Sequence, residues 1–220
     1  SATTQKVFVR NLSSTSASVE IASQGTDPHF WEDSIGKLYV VYSDKFQVTL
    51  NQLPALSGFG TYRQKIDPVT GKKSGEREVL VDKPFNGGLS KDGRYLCTGY
   101  SDGAIYDLGE RKLYRINYDM ASGGMQICNP SISPDRAHSD WMLFLPFAGR
   151  QKLDFSLVEA APGMIPMHEY LFIVDKENKV RWLRTYPAGY HQWQDPEWTN
   201  HFDYIVALAK VTASENDTRH

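Results

Sequence analysis

The side chains best suited to chemistry in this 220-residue chain gather in one short stretch, Tyr186-Pro-Ala-Gly-Tyr-His-Gln-Trp-Gln-Asp-Pro-Glu-Trp. Tyr190, His191 and Trp193 cluster there with the amides Gln192 and Gln194 between and behind them. Flat aromatic faces bordered by amide and carboxylate groups suit sugar rings, whose C–H faces stack while their hydroxyls need two-pronged hydrogen-bond partners. These five residues are therefore candidate ligand contacts. The opposing reading makes the aromatics part of the interior. For Trp198 and Phe30, which occupy equivalent places in a repeated motif, packing is the expectation; for Tyr190, His191 and Trp193 both readings stand.

Other chemistry is thinly represented. The chain has no phosphate-binding glycine loop, no HExxH, no GxSxG and no paired CxxC. Its six histidines, at 29, 138, 168, 191, 201 and 220, are widely separated single residues. Such histidines read as surface or hydrogen-bonding groups, so neither a metal nor another cofactor is expected. Cys97 and Cys128 are too few for a disulfide framework and read as small buried residues, one disulfide being the alternative.

The elements that position the aromatic stretch come from a repeat. Four segments share an Asx, then usually Pro, then an apolar residue two places on, a polar turn and a β-rich run. They start at Asp27 (DPHFWED, then KLYVVYS), Asn86 (NGGLSKDG, then RYLCTGY), Asn129 (NPSISPD, then DWMLFLPF) and Asp195 (DPEWTNH, then FDYIVALAKV). Each reads as strand, tight turn, strand. Two further strand candidates follow the first three, such as AIYDL and KLYRI after the second. Four antiparallel strands per unit is a propeller blade. The fourth unit lacks its outer pair, and KVFVRNL with SVEIA near the N-terminus supply one, closing the ring and removing exposed edges. The expectation is an all-β, four-bladed β-propeller in a single domain: blades at about 27–85, 86–128, 129–194, and 195–220 joined with 1–26. Long insertions at 43–58 and 147–169 then emerge on the same face as the loops that lead into each next blade. Long loops on a rigid scaffold are where function usually sits. On that face His29, Phe46, Arg150 and His168 join the candidate ligand contacts.

The repeats resemble the TolB-type propeller repeats of bacterial envelope and secreted proteins, whose signature runs D-P-x-W-S-P-D-G-x-x-I-A-F and then I-Y-x-x-D-L. The matching residues are Asn129-Pro-Ser-Ile-Ser-Pro-Asp, Asp195-Pro-Glu-Trp, Asp27-Pro-His-Phe, and Leu89-Ser-Lys-Asp-Gly-Arg-Tyr-Leu with Ile105-Tyr-Asp-Leu. The resemblance covers nearly the whole chain and implies a propeller strongly and an activity weakly. Familiar members have about six repeats where this chain has four. An extracytoplasmic location and an envelope-protein partner are further implications. Asp27-Pro-His-Phe with Leu38-Tyr-Val-Val-Tyr-Ser also looks like the first-blade motif of five-bladed glycosidases related to arabinanases and xylosidases. That likeness implies glycoside hydrolysis by a carboxylate pair drawn from Asp27, Glu159 and Asp195. The recurrence of Asx-Pro at 129 and 195 is better explained by a structural anchor.

Composition closes off other classes. Lys and Arg number 24 against 26 Asp and Glu, with no concentrated basic stripe, which argues against nucleic acid. No apolar run approaches the roughly 20 residues of a membrane span. The combined expectation is a monomeric, non-catalytic, extracytoplasmic binding module whose partner is a polysaccharide, with an envelope protein or glycoside hydrolysis as the alternatives.

Overall fold

The computed structural model describes residues 5–13, 17–45, 58–99, 103–116, 118–119, 127–146, 149–151, 154–158, 164–165, 168–199 and 201–211. Among them every regular element is a β-strand, so the all-β class expected from the sequence is what the structure shows. No helix is long and apolar enough to cross a membrane among the described residues.

Two hairpins flank three larger antiparallel sheets. β1 (Val7–Val9) pairs with β2 (Val19–Ala22). The first larger sheet runs β3 (Thr26–Glu32), β4 (Leu38–Ser43), β5 (Thr61–Ile66), β6 (Lys73–Val81) in that order. The second runs β7 (Tyr95–Gly99), β8 (Gly103–Asp107), β9 (Lys112–Ile116). A small sheet joins β10 (Tyr118–Asp119) to β13 (Gly149–Gln151) and β14 (Met164–Ile165), which lie within the expected second insertion. The third large sheet orders β11 (Ile127–Ile132), β12 (Met142–Pro146), β15 (Tyr170–Val174), β16 (Val180–Thr185). The last hairpin is β17 (Gln192–Trp198) with β18 (Ile205–Lys210).

The inner strands are near-continuous apolar runs such as LYVVYS, MLFLP and YLFIV, so each large sheet buries both faces against its neighbours in chain order. Val7, Val9 and Ile21 of the first hairpin cover Val40, Tyr42, Tyr62 and Ile66. On the far side of that sheet, Trp31, Tyr39 and Val41 meet Phe85, Leu89, Leu96 and Ala104. Tyr95, Cys97 and Ile105 pack on Ile127, Met142, Phe144 and Phe172. Leu143, Leu145, Leu171 and Ile173 finally receive Trp193, Trp198, Ile205 and Ala207. Trp198 thus packs between sheets as expected. Phe30 does not: it is 60% exposed and belongs to none of the buried clusters. The first and last hairpins are separate two-stranded sheets.

The repeat motif has a backbone reason. Asp27, Asn129 and Asp195 share a left-handed φ of 46°, a conformation that Asx side chains tolerate best after glycine. At each the strand pairing slips, between Thr26 and His29, Cys128 and Ser131, and Gln194 and Glu197. A bulge of this kind re-aims the side chains around it. In the second unit the bulged strand is reduced to a bridge between Leu89 and Leu96. Gly87 and Gly88 occupy the positions that Pro and a side-chain-bearing residue hold elsewhere.

Candidate functional site

The innermost segments of the four units surround one cavity of about 200 Å³. His29, Trp31, Gly88, Leu89, Ser131, Ile132 and Trp198 are among its walls. Bonds run from segment to segment around it. His29 Nε2 lies 3.1 Å from the Asn86 carbonyl and Trp31 Nε1 donates to the Ser90 carbonyl at 2.8 Å. The Ile132 amide donates to the Gly87 carbonyl at 2.9 Å. The Trp198 amide donates to Ser131 Oγ at 3.3 Å. His29 Nδ1 approaches Glu197 Oε2 at 3.9 Å, which brings the fourth segment back to the first.

At one end of this axis the four repeat anchors meet. Thr98 Oγ1 donates to Asn86 Oδ1 at 2.8 Å, which leaves the Asn86 amide nitrogen to donate to Asp27. Asn129 Nδ2 donates to Asp195 Oδ1. This end, the axial mouth, thus carries two amide–carboxylate pairs, whose residues stand outside the cavity's own lining. Asp27 Oδ2 is buried without a hydrogen-bond partner among the described residues, and that burial raises the Asp27 pKa above the ordinary carboxylate value.

One strand repeat deeper, two residues on from each anchor, lie His29, Gly88, Ser131 and Glu197. Burial raises the Glu197 pKa; His29 and the Ser131 hydroxyl oppose the rise, and Asp27 and Asp195 add to it. Because the Asn86 carbonyl can only accept, His29 Nε2 carries a proton, and Nδ1 is the nitrogen that faces Glu197. Gly88, at φ 81°, makes room: a Cβ there would sit 3.1 Å from the imidazole. Among the described residues no group of three or more His, Cys, Asp or Glu is placed to hold a metal ion.

The structure brings Asp27, His29 and Asp195 together, whereas the aromatic stretch is divided. Tyr190 and His191 are exposed on the loop before β17, with His191 6.2 Å from the Tyr186 ring. Trp193 is half-buried against the Leu143–Leu171 cluster, its Nε1 buried with no hydrogen-bond partner among the described residues. Gln192 and Gln194, on the strand's other face, pair across to Lys210 and Leu208. The His168 carbonyl accepts from the Trp193 amide at 2.9 Å, so that histidine lies behind the loop. Arg150 belongs to β13, with its side chain outside the described residues; Phe46 and Glu159 lie outside them altogether. Glu197 and the amides Asn86 and Asn129 were not among the sequence candidates. Their signal was the period of two that places anchor and anchor-plus-two on one face.

No family model matches the chain. No curated protein matches it either. Among solved structures it is similar to TolB from Acinetobacter baumannii, at 15% identity and a TM-score of 0.47, over 90% of this chain and 41% of that one. The chain therefore spans less than half the length of that protein.

Proposed function

We propose that the chain is a four-bladed β-propeller acting as a monomeric, extracytoplasmic binding module that takes the end of a polysaccharide at the axial mouth. The observation that carries this reading is the convergence of Asp27 with Asn86, and of Asn129 with Asp195, above His29 and Glu197. Amide–carboxylate pairs supply the alternating donors and acceptors that ring hydroxyls require. Tyr190 and His191, on the loop that leads into the same end of β17, are positioned to extend the contact along a chain. Ring closure in this reading joins β18 to β1, whose outward residues Val206, Leu208 and Phe8 would lose their exposure.

Calorimetry against a panel of plant and bacterial glycans tests the ligand. Binding that is lost in Asn129→Ala and in Glu197→Ala is the expected result; no binding across the panel sinks the proposal. Hydrogen exchange tests closure, which demands slow exchange at the amides on the free edge of β18.

A second reading, glycoside hydrolysis, is favoured by one observation: two carboxyls at one mouth, Asp27 and Glu197, are both raised by burial, as a general acid must be. It predicts turnover of aryl glycosides that disappears in Asp27→Asn and in Glu197→Gln. Glu197 takes the place of Glu159 in that scheme.

A further inference from the structure

Away from the axis, a groove of about 480 Å³ opens between the end of the first hairpin and the outward face of the β3–β6 sheet. Ser23 and Gln24 form one wall, and Tyr42, Tyr62, Gln64, Lys73 and Arg77 the other. Period-two alternation puts Gln64 opposite Arg77 and Ile66 opposite Lys73, so both cations stand on the face turned toward the groove. Apolar residues fill the same face nearer the middle of the hairpin, where Val7, Val9 and Ile21 cover it. The cover ends at Ala22, and there the lining becomes polar.

Arg77 is held in place by the tyrosines, and the one carboxylate in the groove, Asp44, acts on it beyond ion-pair distance. Its guanidinium lies 4.0 Å from the centroid of the Tyr62 ring, and it hydrogen-bonds the Tyr42 hydroxyl. Both tyrosines are buried, and Tyr62 is pushed up to about 12, first by burial and then by its bond to Asp44, so both hydroxyls stay protonated at neutral pH. Arg63, Arg94 and Arg181 fork onto Glu78, Asp107 and Asp175. Among the described residues no carboxylate lies within ion-pair distance of Arg77 or Lys73. The groove's own carboxylate, Asp44, is engaged by the Tyr62 hydroxyl and by the Gly60 amide at 3.3 Å.

We infer that this groove binds the oxyanion of a small organic acid or phosphate monoester, with the Arg77 fork as anchor and Lys73 as a second positive charge. A guanidinium stacked on an aromatic ring keeps its remaining N–H groups in a fixed plane, the arrangement that receives a carboxylate or phosphate two-pronged. Ser23 and Gln24 stand across the groove as neutral donors, and the volume admits the body of a ligand as well as its anionic group.

The test is calorimetry with inorganic phosphate and, separately, acetate, each at ionic strength matched with chloride. The expected result is saturable binding of at least one; which one saturates separates a phosphate ligand from a carboxylate ligand. Arg77→Ala weakens it by about 10-fold or more, and Arg77→Lys restores only part because a point charge replaces a fork. Lys73→Ala, a rim change that leaves the Tyr42–Tyr62 wall intact, weakens it less, whereas Lys112→Ala, whose ammonium sits over Tyr114 in another sheet, leaves it unchanged. Absence of saturation with both anions overturns the inference. So does binding that survives both Arg77→Ala and Lys73→Ala. Should Arg77→Ala fail to fold, unchanged affinity in Lys73→Ala decides against it.

Discussion

Replacing Gly87 by alanine would strike the point where the second and third sheets and the axial mouth are tied together. A Cβ built there falls 2.1 Å from Cys97 Sγ, 2.8 Å from the Pro130 carbonyl oxygen and 3.1 Å from the Cys97 carbonyl oxygen. Two of those atoms are backbone, and Cys97 is wholly buried, so no flexible side chain can swing away. Gly87 is also bonded on both sides, its amide to the Cys97 carbonyl and its carbonyl to the Ile132 amide, both at 2.9 Å. Overpacking costs about 1–3 kcal/mol and a strained hydrogen bond about 1 kcal/mol more, so about 3 kcal/mol in total is expected. For a chain of this size that lowers Tm by roughly 6–12 °C. Thermal unfolding followed by circular dichroism measures it. Adding Cys97→Ala removes the sulfur and leaves both carbonyls, so the double variant should recover only part of the loss. A Tm within about 2 °C of wild type, or complete recovery in the double variant, would refute the close approach. Because Asn86 is the adjacent residue, the single variant should also weaken whatever binds at the mouth.

Three further outcomes follow from the same geometry. Glu197 has a folded pKa raised by burial, so its ionisation opposes folding; Glu197→Gln should be more stable than wild type near neutrality, and the gap should close as pH falls toward the ordinary glutamate value of 4.5. A pH-independent gap in melting temperature would contradict this. Asp107 is fully buried; burial opposes its ionisation, but the Arg94 fork and the Gly109 and Glu110 amides outweigh it and hold the carboxyl below 3.8. Arg94→Met removes the Oδ2 partner and, since Arg94 is 44% exposed and the Gly109 and Glu110 amides remain, should cost about 1–3 kcal/mol in denaturant unfolding, with partial rescue by Asp107→Asn; wild-type stabilisation from the pair should fade only as pH falls below the ordinary aspartate value. Trp193→Ala should cost about 3 kcal/mol through lost packing, whereas Trp193→Phe, which deletes an unpartnered buried N–H, should leave Tm nearly unchanged. If Trp193→Phe nevertheless weakens glycan binding, that N–H meets the ligand.

Much of the fold was legible because the repeat motif is a backbone device. The Asx-Pro pair at 27, 129 and 195 marks a left-handed residue and a slipped pairing, and both leave a trace in residue type. The unbroken apolar run of KLYVVYS or YLFIVD likewise announces strands buried on both faces. The site was half legible. Asp27 and Asp195 were seen as anchors, but reading them as punctuation hid that the residue two places on shares their direction, which is how Glu197 and Ser131 escaped notice. Phe30 was misjudged because the motif position alone does not decide burial, and no local pattern encodes whether a distant segment covers that side chain. The small sheet of β10, β13 and β14 joins segments about thirty residues apart in the chain and has too few residues for any periodicity to register.

The layered axis has a consequence for how such a molecule changes. At the depth of the second layer three units contribute a side chain through the same bulged backbone and the second contributes Gly88 from an unbulged segment, so the four groups are an imidazole, a hydrogen, a hydroxyl and a carboxylate, at His29, Gly88, Ser131 and Glu197. These positions are not independent, because His29 abuts both the Gly88 position, where a Cβ would crowd it at 3.1 Å, and Glu197, 3.9 Å from its Nδ1. Ligand preference at this depth is therefore altered by matched substitutions at neighbouring addresses, a larger residue at 88 requiring a smaller one at 29, rather than by one residue at a time.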